Sequence, residues 1–458
     1  MKTEDLKQSK LKLIAFAELP NWSVQHLAQH QHSYNTSIQL FRIGSFLKRS
    51  KIPIEITDGE VYSRITIKTN NNGVFLRDIV EGSKIGTKKQ FLVKKGQFVL
   101  SKIDARNGAF GVVPKELDRA IITGNFWAFD VEKDIVDPHF LSLITTTASF
   151  MKFSENASNG TTNRHYLQES LFLDQKVPLP SLKDQRRIVK EYNSALNQSQ
   201  NNIGKANNLK INIDSIFEKE LDLISSSKSF IPSSRLQFIK SKNLDRWGVE
   251  SISRFKKMEF IFNGKHKVVP FKEVILDFQY GISDKASSEK IGLPVLRMNN
   301  INNGELNLTN LKYINENAVS ENFILEHDDI LFNRTNSKEL VGKTAIFNVR
   351  GNYTFASYLI RIKVDKLKAD PNYINYLLNT QILQIQKDLV SRQITGQANI
   401  NAQEMREFLI PLPPLDKQIE IAETVRDIKK KIKQLTKVAD LKRQQAAIEF
   451  EKEIFSKI

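Results

Sequence analysis

Cysteine is absent from all 458 residues. That excludes a disulfide framework and a thiolate metal site, and it fits a reducing compartment, so a cytoplasmic location is expected. Histidine is scarce as well, with seven in the chain, and only His26, His30 and His32 cluster. No Cys and no dense carboxylate group accompanies them, so no metal site is expected. Long apolar runs are also missing; none approaches the roughly twenty residues that cross a bilayer. The first twenty residues, MKTEDLKQSKLKLIAFAELP, set acids beside lysines around a short apolar run, unlike a secretory signal. Acids fall short of bases, 51 Asp and Glu against 68 Lys and Arg, and the formal charge of +17 points to a polyanionic partner. Nucleotide-binding loops are not in evidence. The tripeptide GKT at Gly342 to Thr344 would need a glycine where Ser337 stands, and the glycines of RNGAFG, Arg106 to Gly111, are spaced as in a turn between strands. No nucleophile and base pair stands out either.

What is present is a duplication. Pro178, Leu179, Pro180, Leu182, Gln185 and Ile188 recur 233 positions later as Pro411, Leu412, Pro413, Leu415, Gln418 and Ile421. Phe217 to Glu220 recur at the same offset as Phe450 to Glu453. The repeat starts earlier still, since NWSVQHL, from Asn21, is echoed by RWGVESI, from Arg246, with Trp22 and Trp247 as simple core anchors.

Each copy follows one plan. Residues 1–40 form an N-terminal segment. Residues 41–180 form a first domain, in which RITIK, FLVKK and QFVLSKI read as short strands punctuated by glycine. Asp137-Pro138 then opens a helical run, followed by a polar loop, ENASNGTTNRHY, and the Pro178 motif. Residues 181–225 form a central helix, and residues 226–267 hold a linker, begun by SSSKSFIPSS from Ser225, and the second lead-in. Residues 268–413 form a second domain, where DILFNRTNSKELVG, from Asp329, answers QFVLSKIDARNGAF, from Gln97. Asp370-Pro371 answers Asp137-Pro138, and the loop SRQITGQANINAQ answers the earlier polar loop. Residues 414–458 form a C-terminal helix. Val425, Ile428, Ile432, Leu435, Ala439 and Ala446 make its three-four seam, interrupted by Lys442, and the central helix, with polar Ser199 and Asn202, is its natural partner. The predicted fold class is α+β: two globular β-rich domains, two long antiparallel coiled-coil helices and a pseudo-two-fold internal repeat.

Polar clusters at matching places in the two domains are the candidate contacts to bases and phosphates. Arg and Lys pair with guanine edges, Asn and Gln with adenine, and the cations with phosphate. In the first domain the candidates are Thr87, Lys88, Lys89 and Gln90, then Ser101, Lys102, Arg106 and Asn107, and the loop residues Thr161, Thr162, Asn163 and Arg164. In the second they are Arg297 and Asn299, then Asn333, Arg334, Thr335, Asn336 and Lys338, and the loop residues Arg392, Gln393, Gln397 and Asn399. For Asp104 the alternative is a structural role, orienting Arg106. The alternative for each is a solvated turn residue. The Lys429 to Lys431 run is interleaved with acids on a helix and reads as a solvated face.

This duplicated order resembles the specificity subunit of type I restriction-modification enzymes. The residues that carry the likeness are PLPSLKDQRRIV and PLPPLDKQIEIA closing two variable domains, the helices behind them, KKGQFVLSKIDARNGAFGVVP and HDDILFNRTNSKELVGKTAIF. The resemblance implies that each domain is a target-recognition domain reading one half of a split DNA sequence. It implies that the helices set the gap between half-sites and dock methyltransferase subunits, with restriction and translocase subunits as further partners of the complex. It implies no catalysis in the chain itself, adenine as the methylated base and S-adenosylmethionine in the partner. The unlike strings SKIDARNGAFG and NRTNSKELVG imply two unlike half-sites. The chain shows neither the glycine pattern nor the Asn/Asp-Pro-Pro-aromatic motif of an amino-methyltransferase. A helix of about 40 residues is about 60 Å long, which limits the half-sites to about 18 base pairs apart and favours a gap of about one helical turn. A four-residue insertion near Ala206 is expected to shift that gap and leave both half-sites unchanged. A self-contained methyltransferase or nuclease with an unrecognised active site is the alternative.

Overall fold

The computed structural model describes residues 34–35, 37–159, 165–223, 258–302, 304–394 and 397–455. The paired lead-in strings with Trp22 and Trp247, the three clustered histidines and the serine-rich linker lie outside the described residues. The chain divides into two compact units, Met1–Gln200 with Ala439–Ile458, and Asn201–Val438. Both are α+β.

In unit 1 the alternation of apolar and polar residues becomes two sheets. One orders Ile52–Ile54, Gln90–Leu92, Ile121–Thr123, Val61–Lys68 and Gly73–Glu81, antiparallel except where Arg64 meets Ile121. The other is antiparallel and orders Leu47–Ser50, Phe126–Val131, Phe98–Ser101 and Phe110–Val112. RNGAFG turns between the last two strands and runs into the second of them, Phe110–Val112. Gly108 has φ 75°, and a Cβ there would lie 2.9 Å from the Asn71 amide oxygen, so the turn needs glycine. Phe98, Phe110, Phe129, Phe150 and Phe172 pack together as the core of the four-stranded sheet, Phe98, Phe110 and Phe172 stacked and Phe150 edge-on. Asp137 caps the helix Pro138–Ile144 by accepting from the amides of His139 and Phe140.

Unit 2 rebuilds the four-stranded sheet as Ile275–Tyr280, Leu359–Val364, Ile330–Asn333 and Thr344–Ile346, all antiparallel. Asp370 caps the helix Pro371–Leu378 in the same way. Its second sheet differs, with Lys312–Ile314, Leu293–Leu296 and Thr354–Phe355 in that order. In both units the strand bearing the proline motif closes back on the domain entrance, Lys176–Pro178 on Leu40–Arg42 and Leu409–Leu412 on Lys267–Pro270.

The repeated glutamine is a buried tie between domain and helix. The Gln185 carbonyl accepts from the Asp137 amide at 2.8 Å, and its NH2 donates to the carbonyls of Pro180 at 2.8 Å and Ile135 at 3.1 Å. Gln418 makes the same three bonds 233 residues on, with Asp370, Pro413 and Lys368 at 2.9, 2.9 and 3.3 Å. Both side chains are fully buried, so each end of the amide must find a partner. The domain and its helix share these bonds and are oriented by them.

The two long helices, Leu182–Glu220 and Leu415–Ile454, begin behind these ties. In unit 1 Arg187 bridges Glu453, and the buried Ser199 hydroxyl donates to the Ala439 carbonyl at 2.9 Å, so numbering rises along one helix as it falls along the other. In unit 2 Lys417 meets Glu220 at 2.6 Å, again antiparallel. The seam is the expected one. Val425, Ala439 and Ala446 are buried, and Ile428, Ile432, Leu435 and Lys442 are half-buried; Lys429, expected on a solvated face, is half-buried as well, with its ammonium 5.6 Å from the centre of the Tyr376 ring. Ser199 therefore sits in the seam as a register-setting polar group. The ends of the helices repeat as well. Phe217 packs on Tyr373 at 5.8 Å in unit 2, and Phe450 packs on Phe140 at 5.9 Å in unit 1, each residue 233 positions from its counterpart.

Candidate nucleic-acid interface

In unit 1 the strand Phe98–Ser101 delivers the first cluster to the surface. Ser101 is buried, and its hydroxyl donates to the Asp104 carboxylate at 3.1 Å while accepting the Asp104 amide at 3.2 Å. Asp104 thus has a structural role, but it shapes the turn with Ser101 and makes no bond to Arg106 among the described residues. The next residue, Lys102, is clamped by its backbone: its amide donates to the Asn125 carbonyl at 3.0 Å, and its carbonyl accepts from Leu167 at 2.8 Å. Its ammonium lies 5.3 Å from the centre of the Tyr166 ring. Arg106 is half-buried, with an Nε that has no hydrogen-bond partner among the described residues, and Asn107 is exposed. Thr161, Thr162, Asn163 and Arg164 lie outside the described residues, but the pair that flanks them, Ser158–Asn159 with Tyr166–Leu167, is held beside this turn by the Leu167 bond.

The Thr87 to Gln90 cluster sits on the five-stranded sheet. Thr87, Lys88 and Lys89 are exposed, and Lys88 is tied to Asp58 at 2.7 Å and to the Gly82 carbonyl at 2.9 Å. Gln90 is buried and donates to the Thr87 carbonyl at 2.6 Å, an internal role. Gln90 pairs with Thr123, two residues before the Asn125 that clamps Lys102.

In unit 2 the strand Ile330–Asn333 makes the matching delivery. Asn333 is buried and donates to the Leu340 carbonyl at 3.1 Å, so it braces the turn as Ser101 does. Arg334 is clamped like Lys102. Its amide donates to Tyr358 at 3.0 Å, and its carbonyl accepts from Ile400 at 2.9 Å, where Tyr358 and Ile400 stand 233 residues beyond Asn125 and Leu167. Its guanidinium lies 5.0 Å from the centre of the Tyr280 ring, and the Tyr280 hydroxyl accepts from the Ala402 amide at 3.1 Å. Thr335–Asn336 pairs with Gln397–Asn399, which also pairs with Arg392–Ile394, so two clusters far apart in sequence form one three-stranded sheet. Gln397 and Asn399 are exposed on it, and Lys338 is exposed beyond it. Arg297 donates to the Asn310 carbonyl at 2.9 Å, and the exposed Asn299 follows; Ala356, whose amide donates to the Leu296 carbonyl, links them to the segment that holds Tyr358.

Beneath this turn lies Lys387, buried, with its ammonium donating to the Leu378 carbonyl. Its aliphatic chain runs under Gly342, where φ is 81° and a Cβ would come within 2.5 Å of the Lys387 chain. Thr344, the last residue of GKT, is buried and hydrogen-bonded to Asn375 at 2.9 Å, a structural role. Burial pushes the Lys387 ammonium down from 10.5 to about 7. The unfolded chain keeps that proton up to about 10.5, so between these values it binds more protons than the folded chain, and stability rises with pH across the window. Lys387→Met should melt about 5 °C higher than wild type near pH 6 and lose that advantage as pH approaches 10, read by thermal denaturation across pH.

Sequence reasoning assembled the polar and basic residues and missed the rings beneath two of them, Tyr166 and Tyr280. Tyr166 ends the polar loop string, but Tyr280 is more than fifty residues from Arg334, and only strand pairing brings it there. Among the described residues no group of three or more His, Cys, Asp or Glu side chains could hold a metal, and no helix is long and apolar enough to cross a membrane. The interface offers donors, cations and amides, the chemistry of base edges and phosphates.

Comparison with known proteins fits this chemistry. A putative type I restriction enzyme MjaX specificity subunit from Methanocaldococcus jannaschii is 27% identical over 195 residues, 42% of this chain and 44% of that protein. The type I restriction enzyme MjaVIII specificity subunit of the same organism is 23% identical over 403 residues, 85% of each chain. The match to the first of these spans less than half of that relative's length. A solved chain from work on complex assembly and conformational transition of the type I R-M system superposes with a TM-score of 0.54 at 15% identity, covering 91% of this chain and 96% of that one, a likeness of fold. The family model for the type I restriction modification DNA specificity domain matches twice, over residues 37–212 and 267–443, and with both copies present the chain belongs to that family.

Proposed function

We propose that this chain is the sequence-specific DNA-binding specificity subunit of a type I restriction-modification complex. Residues 41–180 read one half of an asymmetric bipartite site and residues 268–413 read the other. Residues 1–40 and 226–267 lead into the two domains, and the helical segments 181–225 and 414–458 set the spacing and dock two methyltransferase subunits. Restriction and translocase subunits join the same assembly. The chain itself is non-catalytic, and S-adenosylmethionine belongs to the methyltransferase.

One observation carries this reading. Two domains with different second sheets present, at the same point of the same four-stranded sheet, a cation clamped by the same two backbone bonds, Lys102 in one and Arg334 in the other. A framework held constant under differing side chains is what two readers of different sequences require.

The test uses the full chain with and without its methyltransferase, labelled methyl donor and genomic DNA. Methyl transfer is expected only when both proteins are present, at a split sequence, with binding that weakens steeply as salt rises. Transfer by the chain alone would favour the self-contained enzyme instead.

A further inference from the structure

We infer that Lys102 and Arg334 are the equivalent specificity-determining cations of the two domains, each pre-set on a tyrosine ring to read a guanine edge in its own half-site. The inference rests on the proposed DNA-reading function and assigns the residues and the base chemistry within it.

Three observations carry it. The two residues occupy one position: each follows the buried polar residue that ends the third strand of the four-stranded sheet, and each is held by the same two backbone bonds. Second, each is seated on a tyrosine, but the tyrosines come from different places in the chain, Tyr166 after the polar loop and Tyr280 at the end of the first strand of its sheet. The seat is thus built twice by unlike means. Third, neither head group has a hydrogen-bond or ion-pair partner among the described residues, whereas Lys88 is spent on Asp58 and Arg297 on Asn310.

The chemistry follows from the seat. A cation over a ring is attracted by the negative face of the ring, which restrains the side chain without satisfying its N–H groups. The guanidinium of Arg334, held over the Tyr280 ring, is itself planar and carries its donors in one plane, the arrangement that meets N7 and O6 of guanine together. Lys102 offers a point charge with three donors to the same acceptors. Because the Tyr280 hydroxyl is itself held by Ala402, the platform under Arg334 is fixed before DNA arrives. Tyr280 is therefore a positioning residue.

The experiment is selection of bound duplexes from a randomised pool by the full chain in complex with its methyltransferase, repeated with Arg334→Ala, Arg334→Lys, Lys102→Ala and Tyr280→Leu. Arg334→Ala is expected to lose a preference of roughly 5- to 150-fold for guanine at one position of one half-site. The other half-site should stay unchanged. Lys102→Ala should do the same in the opposite half-site, and Tyr280→Leu should blunt the Arg334 position alone. Arg334→Lys, which keeps the charge and guards against a folding defect, should retain part of the preference. If Arg334→Ala and Arg334→Lys both weaken all sequences alike with base preference intact, the residue is a phosphate contact and the inference fails while the DNA-reading function stands. If wild type selects no split sequence, the function falls and the inference with it.

Discussion

Replacing Phe217 with alanine is expected to destabilise unit 2 by about 3–5 kcal/mol, the usual cost of emptying a buried phenylalanine site. The side chain is fully buried in the largest core of unit 2, against Tyr373, a core that Ile421 and Val425 of the facing helix share. None of these neighbours can collapse into the gap easily, because Tyr373 is itself tied through its hydroxyl to the Pro411 carbonyl at 2.7 Å. For a unit of this size the loss corresponds to a fall of about 10 °C in Tm. Phe450→Ala is the mirror experiment, since Phe450 fills the matching site against Phe140 in unit 1. Hydrogen exchange separates the two: Phe217→Ala should release amides of the sheet that holds Ile330–Asn333, and Phe450→Ala those of the sheet that holds Phe98–Ser101. Equal loosening of both sheets by either variant would contradict this reciprocal packing.

The second large effect concerns spacing. A four-residue insertion near Ala206 in one helix alone breaks the antiparallel register, which Ser199–Ala439 sets in unit 1 and Glu220–Lys417 sets in unit 2. The insertion must be matched, between Ala206 and Asn207 in the first long helix and between Lys431 and Ile432 in the second. Each helix then lengthens by about 6 Å, and the preferred gap should grow by about two base pairs. On the proposed function, affinity for the original site should fall by about 100-fold, because two linked readers lose their joint advantage once both cannot engage. Selection of bound duplexes reads both changes. The half-site sequences should be unaltered, and a change in either one would contradict the role of the helices as a spacer.

Much of this was legible in the order of residues because the duplication is nearly free of gaps. The helices and their seam follow from three-four spacing, a local property that survives without knowledge of the domains. The caps at Asp137 and Asp370 follow from an acid before a proline, again local chemistry. Gln185 and Gln418 were visible as repeated letters, but nothing local says that a glutamine four residues into a helix will reach back to an amide 48 positions earlier. At the interface the polar strings were found and their internal division was not. Ser101, Gln90 and Asn333 read as candidate contacts, yet they are buried braces, since a polar side chain at the end of a core strand bonds the turn it starts.

Composition, repeat length and periodicity thus settled that the chain is a doubled α+β protein with paired helices, since these depend on pattern and on spacing along the chain. The choice of which cations stand free and which are spent depended on tertiary structure. Strand pairing carries Tyr280 to Arg334 across more than fifty residues, and the backbone bond from Leu167 to Lys102 brings the neighbouring Tyr166 to that side chain. A cation's availability is set by what lies within a few ångströms of it in space, and a linear spacing rule cannot report that distance.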